Sequence, residues 1–404
     1  MMNYFIVLLA ALSLGADYLF WRPRLKGLCA WQRRLLCGLL PLLALLPLLP
    51  LLEWQLRTDN IAEQMIFPGS RMMLIFLYAL LRLVLYAGWL SRKRLLRLLA
   101  VGVVILLAAL LSYSVVVGRT ALRVERLTLQ SDRLPAGWEG VRLLHFTDLH
   151  IGTLKHPVAE CRRLVDTILR LQPDMILFTG DLTNIRHTEL DEEVMRELAR
   201  LQAPLGVYSV TGNHDVGVYI KDSLSLPREQ NLRCVVNKQR AMGWSLLEEE
   251  SRYLVRQGDT ITLTGIGFEP SLRNLRHARQ LPEDYNPWGL YDNLPKRFFN
   301  LTICHLPQLW DGILAHGYGD LTLAGHVHSM QHKLPIGRRG WSLSALFYRR
   351  WSGLYEEQGR ALYINDGIGT VGIPARLGAE PELTLITLQR ADSQKTEAEE
   401  PAKI

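Results

Sequence analysis

The apolar residues of the 404-residue chain crowd its first 117 positions and thin into short runs after that. In the crowded part, four stretches at about 3–21, 35–52, 72–90 and 95–117 each approach the ~20 apolar residues that a helix needs to cross a bilayer core. The second carries Pro41, Pro47 and Pro50, so a kinked or re-entrant segment is expected there. No Lys or Arg precedes the first stretch, and no small-residue cleavage site leads from it into a soluble segment; it reads as a retained anchor rather than a removed signal. From position 119 the pattern is that of a globular α/β domain. Leu122, Val124, Leu127 and Leu129 punctuate polar residues over 121–129 and predict a strand, and Pro135-Ala136-Gly137 turns the chain. Strands at 141–147, 175–179 and 206–210 then alternate with helices at 157–171 and 190–201. That order implies β-α-β units, strands buried on both faces, and functional loops at the strands' carboxyl ends. Further strands are predicted at 253–255, 260–267, 301–304, 321–324, 361–364 and 382–388. The expected organisation is therefore a transmembrane anchor of about four helices over 1–118, one α/β domain over 119–390, and a polar, acidic, disordered tail over 391–404.

Charge adds an orientation. Arg22, Arg24, Lys26, Arg33 and Arg34 fill the first short loop and Arg92, Lys93, Arg94 and Arg97 mark the third, whereas the second mixes Glu53, Asp59 and Glu63 with Arg57 and Arg71. The positive-inside rule places loops one and three in the cytoplasm and the domain after position 117 on the outer side. The net charge of +7 arises largely from these loops and lacks the basic stripe of a nucleic-acid reader, so no nucleic-acid partner is expected and the lipid bilayer is. Within the spans Arg82 reads as an intramembrane charge without an acidic partner, which argues for an anchor rather than a transport pathway. The five cysteines form no close pair of the zinc-finger or redox type, and their spacing leaves a Cys161–Cys234 disulfide open.

The chemistry gathers at the ends of the apolar runs. Asp148-Leu149-His150, Gly180-Asp181, Gly212-Asn213-His214-Asp215, His305 and Gly325-His326-Val327-His328 follow one another in chain order, each after a short apolar stretch. Their Asp, Asn and His side chains exceed what one tetrahedral ion uses and suit two ions sharing a carboxylate, and the lack of cysteine among them argues against a structural zinc site. Residues two apart in an extended segment project to one side, so Asp148 and His150 can reach one ion. His214 is a candidate proton carrier and Asp215 a candidate partner that keeps its imidazole oriented and charged. A basic and aromatic run, with Arg338, Arg339, Arg349 and Arg350 among Trp341, Phe347, Tyr348 and Trp351, reads as a lid over a membrane-borne phosphate. His187 and His332 flank the site as candidate substrate contacts.

On these residues the chain over about 119–390 resembles the calcineurin-like binuclear metallophosphoesterases. Its closing stretch, with Trp351-Ser352-Gly353, Gly367-Ile368-Gly369 and Pro381-Glu382-Leu383-Thr384, resembles the membrane-anchored bacterial branch. The resemblance implies a four-layer α/β/β/α sandwich behind the α-helical transmembrane bundle, in a bacterial membrane protein; with the loop charges, the expected location is the inner (plasma) membrane with the domain on the periplasmic side. The resemblance implies two divalent ions (Mn, Fe or Zn), one held by Asp148, His150, Asp181 and His328 and the other by Asp181, Asn213, His305 and His326. It also implies His214 as proton donor supported by Asp215, and a metal-bridging hydroxide that attacks a phosphate mono- or diester. A phospholipid or lipid-linked pyrophosphate is the substrate that the tether favours. The alternative is a membrane receptor or assembly factor whose metal-stabilised domain only binds. The chain departs from the branch at Ser329, where glycine is usual, which puts the backbone after the last ligand in question.

The orientation is checked by topology reporters fused after Arg390. A phosphatase reporter that functions only outside the cytoplasm is expected to be active and a cytoplasmic reporter silent; the reverse pattern puts the domain in the cytoplasm.

Overall fold

Regularly spaced apolar residues produce two kinds of element, each explained by what covers it. A computed structural model describes residues 2–45, 80–84, 86, 88, 93–220, 226–269, 285–337 and 340–391. The chain divides into two units, one comprising Met1–Val117 with Val371–Ala375, the other Gly118–Thr370 with Arg376–Ile404.

In the first unit, helices span Met2–Trp21, Ala30–Leu45 and Arg94–Tyr113. Among the described residues one helical stretch, Arg94–Gly118, is long and apolar enough to cross a membrane. The expected proline-kinked segment beyond position 45 and most of the third expected span lie outside the described residues. Arg82 corrects one expectation: its guanidinium pairs with the carboxylate of Asp17 in the first helix, and both are buried. Tyr86 joins them, its hydroxyl 3.3 Å from Arg82 Nη2 and accepting from Trp21 Nε1 at 3.2 Å, while its ring stacks on Phe20 at 4.3 Å. Sequence spacing does not reveal a pair 65 residues apart, and its existence removes the lack of an acidic partner as a ground for reading the bundle as an anchor alone.

In the second unit, the first sheet contains β1 (Arg123–Ser131), β2 (Arg142–Phe146), β3 (Met175–Phe178), β4 (Val207–Ser209) and β5 (Ser245–Leu246). The second contains β6 (Glu250–Arg256), β7 (Asp259–Ile266), β8 (Phe299–Cys304), β9 (Leu321–Ala324), β10 (Gly353–Glu357) and β11 (Arg360–Ile364). The last strand, β12 (Glu382–Arg390), returns to the first sheet, giving the orders β1-β12-β2-β3-β4-β5 and β10-β11-β9-β8-β7-β6. β2, β3, β4 and β5 pair parallel, as do β7, β8, β9 and β11. β12 slots between β1 and β2, parallel to the one and antiparallel to the other.

Strand alternation builds the layers, because successive side chains point to opposite faces. Leu143, Met175 and Leu177 of the first sheet meet Leu263, Leu301, Ile303 and Leu323 of the second in a buried core between the sheets. Leu144, Phe146, Ile176 and Phe178 point the other way, onto the helices Pro157–Arg170 and Glu192–Leu198. Leu362 and Ile364 pack outward with Trp310 and Ile313 of the short helix Trp310–Ala315. The result is the α/β/β/α sandwich. The helix Arg228–Ala241 escapes a reading of apolar periodicity because its buried face includes Asn231 and Gln239 beside Val235 and Val236. The five cysteines are all free, so no Cys161–Cys234 bridge forms.

The Arg82–Asp17 pair generates a stability prediction. Asp17→Ala strands a buried guanidinium and is expected to cost on the order of 3–5 kcal/mol, whereas Asp17→Leu with Arg82→Leu costs much less. Thermal unfolding of the full chain in detergent checks this; equal losses in the single and double variants would show that the pair contributes nothing specific.

Candidate metal centre

Parallel strands end on one side, and that edge collects the polar residues. Asp148 and His150 follow β2, Asp181 follows β3, Asn213 and His214 follow β4, His305 follows β8, and His326 and His328 follow β9. The turns are tight: Asp148 (φ 53°), His150 (φ 42°), Asp181 (φ 58°), His326 (φ 73°) and His328 (φ 52°) all take left-handed backbone conformations. Each such non-glycine position costs of order 1–3 kcal/mol and persists where surrounding structure over-determines it. Here the loops tie to one another, with Asp148 N–H donating to Gly180 O at 2.9 Å and His150 N–H to Asp181 O at 3.1 Å. Two glycines allow the approach. A Cβ on Gly212 would lie 2.1 Å from Asp181 Oδ1, and one on Gly325 would lie 2.2 Å from Asp148 Oδ2.

The side chains converge in two adjoining groups. In one, His328 Nε2 lies 2.9 Å from Asp148 Oδ1 and 3.1 Å from His150 Nε2, and His150 Nε2 lies 3.7 Å from both Asp148 Oδ1 and Asp181 Oδ2. In the other, His305 Nε2 lies 3.1 Å from Asp181 Oδ2 and 3.1 Å from Asn213 Oδ1, and His326 Nδ1 lies 3.0 Å from Asn213 Oδ1 and 3.3 Å from His305 Nε2. Asp148, His150 and His328 thus form one set able to hold a cation, and Asp181, His305 and His326 another; His150, Asp181 and His214 make a third that overlaps both. The donor chemistry fits divalent ions: carboxylate, amide and imidazole atoms face one another, and buried Asp148 Oδ1, although 2.9 Å from His328 Nε2, receives no hydrogen bond. His305 donates from Nδ1 to Thr179 O at 2.8 Å, which fixes its tautomer and leaves Nε2 as the donor toward a metal.

Electrostatics follow from burial and crowding. Burial opposes ionisation of Asp148, but the His328 and His150 imidazoles beside it outweigh that and hold its pKa well below the usual carboxylate range. Asp181 is likewise lowered, with His305 the strongest partner against burial. Burial works to lower His305, and the Asp181 carboxylate overrides it and lifts the ring to about 9. His326 is pushed down to about 3, by burial first and by charge on His305 next.

His214 lies where expected, but Asp215 does not act on it. The Asp215 carboxylate accepts from the backbone N–H of Asp181 (2.9 Å), Thr183 (2.9 Å) and Gly212 (3.0 Å) and from the Thr183 hydroxyl (3.2 Å). It pins the loops after β3 and β4 together, and these amides compete successfully for its lone pairs. Its pKa rises to about 6 through burial and the nearby Asp181 charge. His214 instead donates from Nδ1 to Asn184 O and stacks on Tyr219, centroids 4.1 Å apart. Burial lowers it to about 3 despite Asp181, so the ring is neutral in this setting rather than held charged by Asp215.

One member of the expected lid, Arg350, is corrected. Arg350 is buried against Asp311 (2.7 Å) and Glu357 (2.9 Å) with its guanidinium over the Trp310 ring, a structural tie rather than a phosphate clamp. Arg338 and Arg339 lie outside the described residues. His332 Nδ1 bonds to Met330 O within its own loop, whereas the backbone N–H of His187 donates to Asn231 Oδ1 on the helix Arg228–Ala241. Ser329 does carry the strain its replacement of glycine predicts, at φ 50°, and its hydroxyl donates to Asp366 Oδ1 at 2.5 Å, an anchor that glycine lacks. Sequence reasoning missed Asn184 and Arg376. Arg376 is fully buried and reaches His328 Nδ1 at 3.2 Å while bonding to the carbonyls of Gly369, Asp366 and Ala379. Burial lowers its pKa to about 10, against the pull of Asp366. It stands 48 residues from its histidine, and no spacing rule joins them.

The family model for calcineurin-like phosphoesterases matches residues 141–330. An uncharacterized metallophosphoesterase of Bacillus subtilis, YkuE, is 26% identical over 265 residues, 65% of this chain and 84% of the relative. The UDP-2,3-diacylglucosamine pyrophosphatase LpxG of Chlamydia trachomatis is 25% identical over 301 residues, 61% of this chain and 84% of the relative. A transmembrane protein with metallophosphoesterase domain from Danio rerio is 26% identical over 293 residues, covering 71% and 62%.

The placement of Asp215 predicts that Asp215→Ala strands three buried amides and destabilises the domain by about 3 kcal/mol or more. Thermal unfolding and metal content measured together check it. A variant with wild-type stability and only a shifted acid limb in its pH–rate profile would restore the carboxylate to a role through His214.

Proposed function

Residues 141–330 form a calcineurin-like metallophosphoesterase domain, and from that premise we propose that the chain is a membrane-anchored, dinuclear metal-dependent hydrolase of a phosphate ester. The observation that carries the reading is the juxtaposition of two sets of ligating side chains, Asp148, His150 and His328 beside Asp181, His305 and His326, with His150 Nε2 only 3.7 Å from Asp181 Oδ2. In this reading Asp148, His150, Asp181 and His328 hold one divalent ion, and Asp181, Asn213, His305 and His326 the other. When bound, the two ions supply Lewis-acid charge to the phosphoryl oxygens and lower the pKa of a water.

The chain's own residues do the rest. Thr179 O orients His305, Arg376 fixes the far side of His328, and Asp215 locks the loops that carry Asp181 and Asn213. With Nδ1–H committed to Asn184 O, His214 offers Nε2 as the atom that carries a proton to the leaving oxygen. An anionic phosphoester beside it would offset the burial that keeps the ring neutral. A receptor that only binds has no use for such a group. The apolar helix Arg94–Gly118 and the relative named as a transmembrane protein support attachment to a membrane. The loop charges support an inner-membrane protein facing the periplasm. The relative named as a UDP-2,3-diacylglucosamine pyrophosphatase supports a lipid-linked phosphate or pyrophosphate as substrate.

The test uses the full chain in detergent, supplied with Mn²⁺ and assayed on an aryl phosphate monoester and the matching diester. Asp181→Ala is expected to lose bound metal and turnover together. His214→Ala is expected to keep its metal and lose about 10²–10⁴-fold in rate on an alkyl ester with a poor leaving group. Unchanged alkyl-ester hydrolysis in His214→Ala would end the acid assignment, and wild-type silence on both esters with two metals bound would favour the binding-only alternative.

A further inference from the structure

The loop beyond the last histidine is built with its polarity reversed. A water-exposed loop turns serines outward and leucines inward. In residues 342–347, Ser342 and Ser344 are fully buried, and Leu343, Leu346 and Phe347 are 43%, 61% and 51% exposed. The buried hydroxyls have work there: Ser342 Oγ donates to Ser329 O at 2.6 Å and accepts from Ser344 N–H at 3.1 Å, fastening the loop to the turn that carries His328. Just before it, Leu334 and Trp341 pair through two backbone hydrogen bonds of 2.7 and 2.9 Å, a narrow antiparallel finger with Leu334, Ile336 and Trp341 exposed on it. Elsewhere in residues 118–370 the exposed large apolar side chains, among those described, are Tyr253 and Val255 on the β6 strand and Met330 beside this finger. Most exposure of this kind lies along one rim, and that rim adjoins the metal centre: Tyr348 lies edge-on to His326 with ring centroids 6.5 Å apart.

A concentration of exposed large apolar side chains along one rim marks an interaction site. The chain supplies its occupant. Residues 119–122 alone separate the end of the membrane-length helix Arg94–Gly118 from β1 at Arg123. At ~3.6 Å per extended residue that tether keeps the domain's first strand near a bilayer. Trp341 among aliphatic side chains is also the composition of a surface that enters the headgroup region. We propose that the apolar face formed by Leu334, Ile336, Trp341, Leu343, Leu346 and Phe347 docks into the lipid bilayer, presenting the metal centre to a phosphoester held in the membrane. The consequence for substrate rests on the phosphoesterase reading; the docking itself does not.

The experiment reconstitutes the full chain and its Trp341→Phe variant into phosphatidylcholine–phosphatidylglycerol vesicles, with and without brominated acyl chains. The emission lost on substitution reports Trp341 alone. It is expected to be quenched by brominated lipid and shielded from aqueous iodide. Emission quenched by iodide and indifferent to bromination overturns the proposal, as does emission that follows protein density in the vesicle, which would assign the face to a second copy. A shift produced only by a dispersed short-chain phosphoester would assign it to the substrate's own chain and overturn bilayer docking. A second arm places aspartate at Leu346 and Phe347: KM for a long-chain phosphoester in vesicles is expected to rise about tenfold or more, with a soluble aryl ester turned over as before. Because quenching needs no turnover, it decides the docking even where every phosphoester assay is silent.

Discussion

Two buried carboxylates and the imidazoles around them aim lone pairs at one another across about 3 Å, an arrangement that repels itself without a cation. Asp148 and Asp181 lie almost wholly out of solvent, with ring nitrogens 2.9 to 3.7 Å from their oxygens. Left to itself such a cluster would open or neutralise. The strand ends prevent the first: parallel strands of both sheets deliver their loops to one edge, and loop-to-loop hydrogen bonds keep five of the ligating residues in left-handed conformations. Charge exchange within the cluster limits the second, since His305 is lifted by the carboxylate that it in turn helps keep ionised.

The outer ring of the site carries that load through groups that never face a metal. Asp215 gathers backbone amides from two loops, the Thr179 carbonyl fixes one imidazole, and Arg376 braces another while bonding to three carbonyls of the segment that closes the site. Asp366 accepts from Ser329 and pairs with Lys333, so the strained turn after His328 is anchored at two points. The lesson from Asp215 is general: a carboxylate next to a histidine in sequence need not touch its ring, because a tight turn can spend it on backbone donors that have no other partner.

The same segment links the site to its surroundings. Serines fasten residues 342–344 to the turn of His328, which leaves their apolar neighbours on the outside. Polar work on the loop's inner face thus turns its apolar side chains outward, in a chain that also carries an apolar helix, Arg94–Gly118, long enough to cross a membrane.

Much of this was legible in the sequence because it rests on local periodicity and composition. Short, nearly continuous apolar runs such as Leu143 to Phe146 and Met175 to Phe178 marked strands buried on both faces, and Asp148, His150, Asp181, Asn213, His305, His326 and His328 stood where such runs ended. What tertiary structure alone decided were the relations between distant residues. Asp17 meets Arg82, Arg376 meets His328, Asn184 rather than Asp215 holds His214, and β12 inserts between β1 and β2. Each depends on where folding places a donor or acceptor in three dimensions, and hydrogen-bond direction, unlike hydrophobic period, leaves no regular trace along a chain.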